Sequence, residues 1–125
     1  MQIVVHSSLG DLERDLRTVA VECKPRMAEQ VRNVANDGNK AAKRLARRSA
    51  GKHGKHYPNA FSVERRTPLE YEWGPDSAMP QGGMSFEYGS RNQPPHHDIA
   101  QAADLHGADD LQRRVSIVLD RLFWP

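Results

Sequence analysis

The segment FEYGSRNQPPHHD, residues 86–98, holds the residue types best suited to chemistry in this 125-residue chain. His96, His97 and Asp98 are side chains that can bind a metal ion or transfer protons. A zinc site needs three or four converging ligands, whereas adjacent side chains point in different directions. His53 and His56 would join them only if folding brought them close. We therefore predict no metal and no cofactor, and interpret Asp98 as the capping acid of a helix.

Other sequence signatures of enzymes are missing. The chain has no GxSxG motif, no GxxxxGK[ST] phosphate loop, no HExxH motif and only one cysteine, Cys23. A hydrolase or toxin-like activity would need a polar pocket with perturbed ionisable groups, for which only the histidines are candidates. The sequence therefore predicts a protein that is not an enzyme.

Charged residues are distributed unevenly. The formal net charge is +2, but residues 38–66 carry nine basic and one acidic residue, whereas residues 67–125 carry four basic and nine acidic residues. The basic residues before the first predicted strand are Lys40, Lys43, Arg44, Arg47, Arg48, Lys52 and Lys55. They could form a solvated helix face, line a DNA channel and contact phosphates, or meet acids of a neighbouring copy. The acidic candidates for that interface are Asp104, Asp109, Asp110 and Asp120.

Apolar residues recur at steps of three and four in two parts of the chain, which indicates amphipathic helices. The first part covers residues 7–50, is interrupted at Pro25 and ends at Gly51. The second is a C-terminal helical segment, residues 96–123, which resumes after Gly107. No apolar run approaches the roughly 20 residues of a membrane-spanning helix. We therefore expect no membrane association.

A strand meander is predicted between the helical parts, over residues 60–89. Its alternating segments are FSVERR (61–66), LEYEWG (69–74) and MSFEYG (84–89), and QIVV (2–5) could add an edge strand. The predicted fold is a single α+β domain, residues 1–125, in which an antiparallel sheet of three or four strands packs against the long helix and the C-terminal helix. The side chains expected to be largely buried are Leu69, Tyr71, Trp73, Leu111, Val115 and Leu119.

The loop from Gly74 to Gly83 is rich in residues that break helices and strands. Its exposed Met79 is a candidate contact with another subunit. We expect this loop to be ordered mainly by a neighbouring subunit.

The order of these elements resembles that of the head-tail connector or tail-completion proteins of long-tailed bacteriophages. In that family a strand that ends in an E-Y-G-T/S motif precedes a proline-containing turn and a C-terminal helix. Glu87, Tyr88, Gly89 and Ser90 match the motif, and Pro94 or Pro95 matches the turn. The chain departs from the family at PPHHDIAQAAD, where many members have a proline, an aromatic residue and an arginine.

The resemblance implies a structural protein of the phage neck. Such a protein forms a homo-oligomeric, sixfold ring between the portal-connector complex and the tail tube, and DNA passes through the ring. Its partners would be the adjacent connector or stopper and the tail terminator or tail tube proteins, with transient contact to genomic DNA. It would lie in the virion neck or upper tail, and in the host cytoplasm during assembly. The alternative is a small DNA-binding module that uses the basic helix, residues 40–55, and that should bind duplex DNA with a steep salt dependence.

Overall fold

The computed structural model describes residues 2–91 and 94–124, with side chains from residue 10 onward. Its elements are α1 (Gln2–Ala50), a 3₁₀ turn (Pro58–Ala60), β1 (Phe61–Thr67), β2 (Glu70–Pro75), α2 (Ser85–Tyr88), α3 (Asp98–Leu105) and α4 (Ala108–Phe123). The helices α3 and α4 and the β1–β2 hairpin all contact α1. The long first helix is therefore the element on which the other elements are arranged.

Helix α1 has 49 residues, which corresponds to about 73 Å at 1.5 Å per residue. Helices α3 and α4 run back along it. Asp98, at the start of α3, contacts Ser49 near the end of α1, and Arg114 of α4 reaches Asp37. Phe123, at the end of α4, lies beside residues 12–22 of α1.

The predicted interruption at Pro25 is wrong, because α1 continues through this residue. Proline has no backbone N–H and removes one hydrogen bond from a helix interior. The apolar positions on either side of it nevertheless stay in phase, since Cys23, Met27, Val31 and Val34 follow one another at steps of four, four and three. The continuous helix therefore keeps these apolar positions on one stripe. The predicted end of the helix is confirmed, because Ala50 is its last residue and Gly51 has a φ of 62°.

The hairpin is antiparallel, with Val63 opposite Trp73 and Glu64 opposite Glu72, and an irregularity between Arg65 and Thr67. The indole of Trp73 packs on Gly38 of α1. An ideal Cβ at Gly38 would lie 2.8 Å from the Trp73 ring. The absence of a side chain at this position is therefore what lets the hairpin approach α1.

The predicted three- or four-stranded sheet is wrong, because the described residues form a sheet of two strands in a mostly helical fold. Residues 2–5 belong to α1, and residues 84–89 contain α2 instead of a third strand. Phe86 and Glu87 are both buried. Adjacent side chains point to opposite faces of a strand but only about 100° apart in a helix, so a single helical turn lets both face the interior.

The core lies where α1, α2, α3 and the start of β1 meet. Tyr57 has no exposed surface and stacks on Phe86, with ring centroids 4.4 Å apart, while Phe61 packs edge-on against Tyr57 at 5.1 Å. Burial, together with the charges of the nearby carboxylates of Asp98 and Glu87, raises the pKa of Tyr57. The remaining space is filled by small residues that let backbones approach closely: Ala41, Ala42, Ala46 and Ala102.

The six side chains expected to be largely buried are more exposed than predicted. Leu69 is 46% exposed, so the prediction is wrong for it. The others are half-buried: Tyr71, Trp73, Leu111, Val115 and Leu119. The reason is that the hairpin and α4 each lie against α1 on one side, and a two-stranded sheet covers less surface than the expected sheet would. The resumption of the helix after Gly107 is confirmed by the start of α4.

We expect Gly38→Ala to lower the melting temperature, because its methyl group would displace the Trp73 ring. Gly10→Ala is a matched control in the same helix, since a Cβ there has no atom within 4 Å. Both substitutions improve helix propensity by about 1 kcal/mol, so the difference between them isolates packing. Thermal unfolding followed by circular dichroism measures both. A Gly38→Ala variant as stable as the Gly10→Ala variant would contradict the packing described for Trp73.

Candidate functional site

The segment that the sequence singled out connects α2 to α3, and we call it the joint (residues 86–91 and 94–98). Its central residue is Glu87, which is 3% exposed. The Glu87 carboxylate accepts hydrogen bonds from the backbone N–H groups of Ile99 at 2.7 Å and Ala100 at 3.1 Å. These are free N–H groups of the first turn of α3, where a negative charge is favoured. Glu87 therefore caps α3 from outside the helix.

This arrangement corrects the role predicted for Asp98. His97 occupies the N-cap position, with a left-handed φ of 56°, and makes no side-chain capping bond. Asp98 is the first helical residue, is 2% exposed and accepts a hydrogen bond from Ser49 Oγ at 2.7 Å. Its carboxylate therefore ties α3 to the end of α1.

His96 extends this contact. Its Nδ1 lies 3.0 Å from Ser49 Oγ. The hydroxyl of Ser49 is directed at Asp98, and the tautomer of His96 that carries its proton on Nδ1 can donate to the Ser49 oxygen. In a Ser-His-Asp triad the histidine lies between the hydroxyl and the carboxylate, whereas here the serine does. The order of these groups is that of a link between α1 and α3.

No group of three or more His, Cys, Asp or Glu side chains is placed to hold a metal ion in residues 10–91 and 94–124. The contacts of the histidines that the sequence offered are structural. The backbone carbonyl of His53 accepts from Gln81 Nε2, and the backbone N–H of His56 donates to Gln81 Oε1. His96 packs edge-on against Phe86, with ring centroids 5.6 Å apart.

Five of the seven candidate basic residues lie on α1, and we call them the basic stripe: Lys40, Lys43, Arg44, Arg47 and Arg48. With 3.6 residues per turn they fall within an arc of about 140°, opposite the buried Ala42 and Ala46. Lys43 is half-buried and the other four are exposed. The exposed Lys52 and Lys55 follow beyond the end of the helix. Within the described residues, none of the seven makes an ion pair.

The acidic candidates differ sharply from one another. Asp110 is 7% exposed. Its carboxylate accepts two hydrogen bonds from Arg114, at 2.9 and 3.0 Å, and further bonds from Arg113 and His106. Arg114 also donates to Asp37 of α1 at 2.7 Å. Asp110 is therefore occupied within its own chain, where it fixes α4 to α1.

These contacts also change the ionisation of Asp110. The hydrogen bonds from Arg114, together with those from His106 and Arg113, lower the pKa of Asp110 from 3.8 to about 2, and burial opposes them. Asp104, Asp109 and Asp120 are exposed. Only these three of the four acidic candidates are available to another molecule.

The loop of residues 74–83 is held partly by the chain itself. Its backbone makes two turn bonds, from Met79 N–H to the carbonyl of Asp76 at 2.9 Å and from Gly82 N–H to the carbonyl of Met79 at 3.0 Å. Gln81 fastens it to the backbone at residues 53 and 56. Met79 is 46% exposed and remains available for contact.

The structure adds an acidic surface that the sequence reasoning missed, the outer face of the hairpin. We define it by Glu64, Glu70, Glu72 and Asp76. Glu64 and Glu72 are directly opposite each other, and Arg66 pairs with Glu72 at 2.7 Å. The signal was present in the sequence, because Glu70 and Glu72 share one face of the predicted second strand, but placing Glu64 beside them requires the register of the hairpin.

An apolar surface lies at the other end of the molecule. Leu12 and Leu16 are 54% and 51% exposed, although Leu122 and Phe123 of α4 lie beside them along an open groove. Trp124 is 81% exposed. In the described part of the chain no helix combines the length and apolar character needed to cross a bilayer.

We expect Glu87→Gln to destabilise the protein by roughly 1 to 2 kcal/mol, because the amide loses the negative charge at the start of α3 and retains one oxygen for two N–H groups. Glu70→Gln is the control, since Glu70 is exposed on the hairpin. Chemical denaturation gives both free energies of unfolding. If the two variants are equally stable, Glu87 does not act as the cap of α3.

We expect Asp110→Asn to lose roughly 1 to 2 kcal/mol of stability at neutral pH, because the lowered pKa means that the folded protein favours the ionised form. The contribution is complete above about pH 4 and is lost as the pH falls through the folded pKa of about 2. Asp109→Asn is the neighbouring exposed control. Unfolding measured from pH 7 to pH 2 should show the gap between the two variants closing with acid. A gap independent of pH would contradict the assigned contacts.

The arrangement of residues thus offers two charged surfaces, an apolar groove and a joint that fixes the C-terminal helices. The charged surfaces and the groove are suited to contacts with other macromolecules, whereas the joint is an internal link. No protein-family model, curated protein or solved structure matches this chain.

Proposed function

We propose that this protein is a structural component of a bacteriophage neck, a head-tail connector or tail-completion protein that works as a homo-oligomeric ring. The observation that carries the proposal is the role of the Glu87-Tyr88-Gly89-Ser90 motif. It is the motif on which the resemblance to that family rests; here Glu87 and Tyr88 belong to helix α2 and not to the end of a strand, and the glutamate caps α3. The residues that suggested the family therefore also hold the C-terminal helices in place.

The surface of the molecule supports an assembly role. The basic stripe has no ion pairs within the described residues, and Leu12, Leu16 and Trp124 expose apolar surface. Such surfaces are typical of proteins that function in contact with others. In the proposed ring they contact neighbouring copies, the adjacent connector or stopper, and the tail terminator or tail tube proteins. Genomic DNA passes through the ring, and the protein resides in the neck or upper tail of the virion.

A DNA-binding module is the second candidate function. It is favoured by the exposure of Lys40, Arg44, Arg47 and Arg48 on one side of α1, since such a row can neutralise successive phosphates. A module of this kind would bind duplex DNA as a monomer, with affinity that falls steeply with salt. A neck protein must let the genome pass and would bind DNA weakly.

We expect the triple variant Arg44→Glu, Arg47→Glu, Arg48→Glu to fold normally but to block the joining of heads to tails, because three reversals on one surface oppose its partner. Single surface pairs contribute only about 0 to 1 kcal/mol, so single reversals should have little effect. The control is Lys24→Glu, Arg26→Glu, Arg32→Glu, which makes the same charge change on exposed positions of the same helix. Electron microscopy and titre of particles from phage carrying each variant measure the outcome.

Normal numbers of infectious, tailed particles with the triple variant would mean that the basic stripe is only a solvated helix face. The genomic neighbourhood gives an independent check. We expect genes for portal, capsid and tail proteins beside the gene for this protein, and a regulator or antitoxin gene in their place would contradict the neck role.

A further inference from the structure

We infer that the basic stripe of one copy binds the outer face of the β1–β2 hairpin of a neighbouring copy. This inference rests on the proposed function in one respect, namely that the protein acts as a homo-oligomer. It identifies which acidic surface receives the basic stripe.

The basic stripe brings five positive charges together over two to three turns of α1. Between Asp37 and Glu64 the sequence has no acidic residue, and in the described part of the chain no carboxylate pairs with the stripe. Like charges three and four residues apart on a helix repel one another. The stripe is therefore a surface that an acidic partner would stabilise.

The outer face of the hairpin likewise holds like charges close together, but of the opposite sign. Glu64 and Glu72 lie directly opposite each other on the two strands, with their side chains 67% and 58% exposed. Like charges in opposed positions destabilise a strand pair. Arg66, 2.7 Å from Glu72 and 3.9 Å from Glu64, compensates only one of the two charges. With Glu70 and Asp76 included, the face carries four acids against one arginine.

Its shape also suits cationic side chains. Glu64, Glu72 and Asp76 line one open groove of about 300 Å³ together with Ser62 and Ser77. Carboxylates and hydroxyls are the acceptors that arginine and lysine require. The groove therefore presents acceptors that several long basic side chains can reach at once.

The two surfaces cannot meet within one copy. The inner face of the hairpin is held on α1 by Trp73 at Gly38, so its outer face points away from that helix. The basic stripe lies on the side of α1 opposite Ala42 and Ala46, which are fully buried. A contact between two different surfaces of two copies is heterologous, and such contacts close into rings when the rotation between copies permits.

The exposed acids of α3 and α4 fit the basic stripe less well. Asp110 is engaged by Arg113, Arg114 and His106. The exposed Asp104, Asp109 and Asp120 are spread along α3 and α4, whereas Glu64 and Glu72 of the hairpin lie directly opposite each other. The hairpin face has the higher density of uncompensated acid.

A charge-swap experiment on the full chain tests the inference. The stripe variant is Arg44→Glu, Arg47→Glu, Arg48→Glu, and the hairpin variant is Glu64→Lys, Glu72→Lys. Sedimentation velocity at low ionic strength should show self-association of the wild type that weakens with salt, and an affinity loss of about tenfold or more in either variant alone. An equimolar mixture of the two variants should associate again, since each then supplies the charge that the other lacks. A chain carrying all five substitutions should also associate.

A further variant tests the exposed acids of α3 and α4 as the alternative binding surface. We expect Asp104→Lys, Asp109→Lys to leave the association unchanged. Loss of association in that variant with no loss in the hairpin variant would overturn the inference, as would failure of both the mixture and the five-substitution chain to associate. A wild-type chain that stays monomeric at every concentration and salt would overturn it as well.

The same variants separate this inference from the proposed function. If the swaps fail to restore association while the stripe variant still blocks head-to-tail joining, the neck role stands and the stripe has another partner. Duplex DNA is then the alternative, and titration should show binding by the wild type that is lost in the stripe variant and kept in the hairpin variant. If phage that carry the stripe variant join tails normally, the neck role of the stripe fails whatever the association shows.

Discussion

The fold depends on the close approach of other elements to one stretch of α1. Gly38, Ala42 and Ala46 are small residues on the same side of that helix, and the two alanines have no exposed surface. Trp73 uses the gap at Gly38, while α3 and the aromatic rings of the core pack against the alanines. A domain with few large buried side chains gains its packing from such contacts, since dispersion and burial both increase as backbones come closer. A larger side chain at any of these positions would push away a whole element.

Polar contacts then decide how the chain returns along α1. Glu87 fixes the start of α3, Asp98 joins it to Ser49, and Arg114 joins α4 to Asp37. In all three contacts the carboxylate is buried or half-buried and accepts hydrogen bonds from N–H or O–H donors. Buried charges are tolerated in proteins when they are satisfied in this way. The contacts of the joint are therefore structural ones. The side chains of His96 and Asp98 hold the junction between α1 and α3 in place.

The sequence predicted best what depends on neighbours in the chain. The end of α1 at Ala50, the resumption after Gly107 and the two strands of the hairpin follow from local periodicity and from glycine or proline positions. It failed where a residue serves a distant partner. The alternation in MSFEYG suggested a strand, but Phe86 stacks on Tyr57 and Glu87 caps α3, and both needs are met by a helical turn. Asp110 is a different case, because its own bonds to His106, Arg113 and Arg114 lie within four residues along the chain and only the onward bond from Arg114 to Asp37 spans 77 residues. Glu64 could be placed beside Glu72 only once the register of the hairpin was known.

The uninterrupted course of α1 has a mechanical consequence. Leu12 lies about 39 Å along the helix axis from Gly38 at 1.5 Å per residue, and the end of α4 lies beside residues 12–22, so the apolar surface is far from the hairpin on one continuous element. A rotation of the helix axis by about 10° about Gly38 moves Leu12 by roughly 7 Å over that length. A partner that binds the apolar surface at Leu12 and Leu16 therefore restricts the orientation of the hairpin and the basic stripe, because a small angular error at one end is a large displacement at the other. Two weak contacts that are far apart on one helix define the orientation of a small domain more accurately than two contacts that are close together.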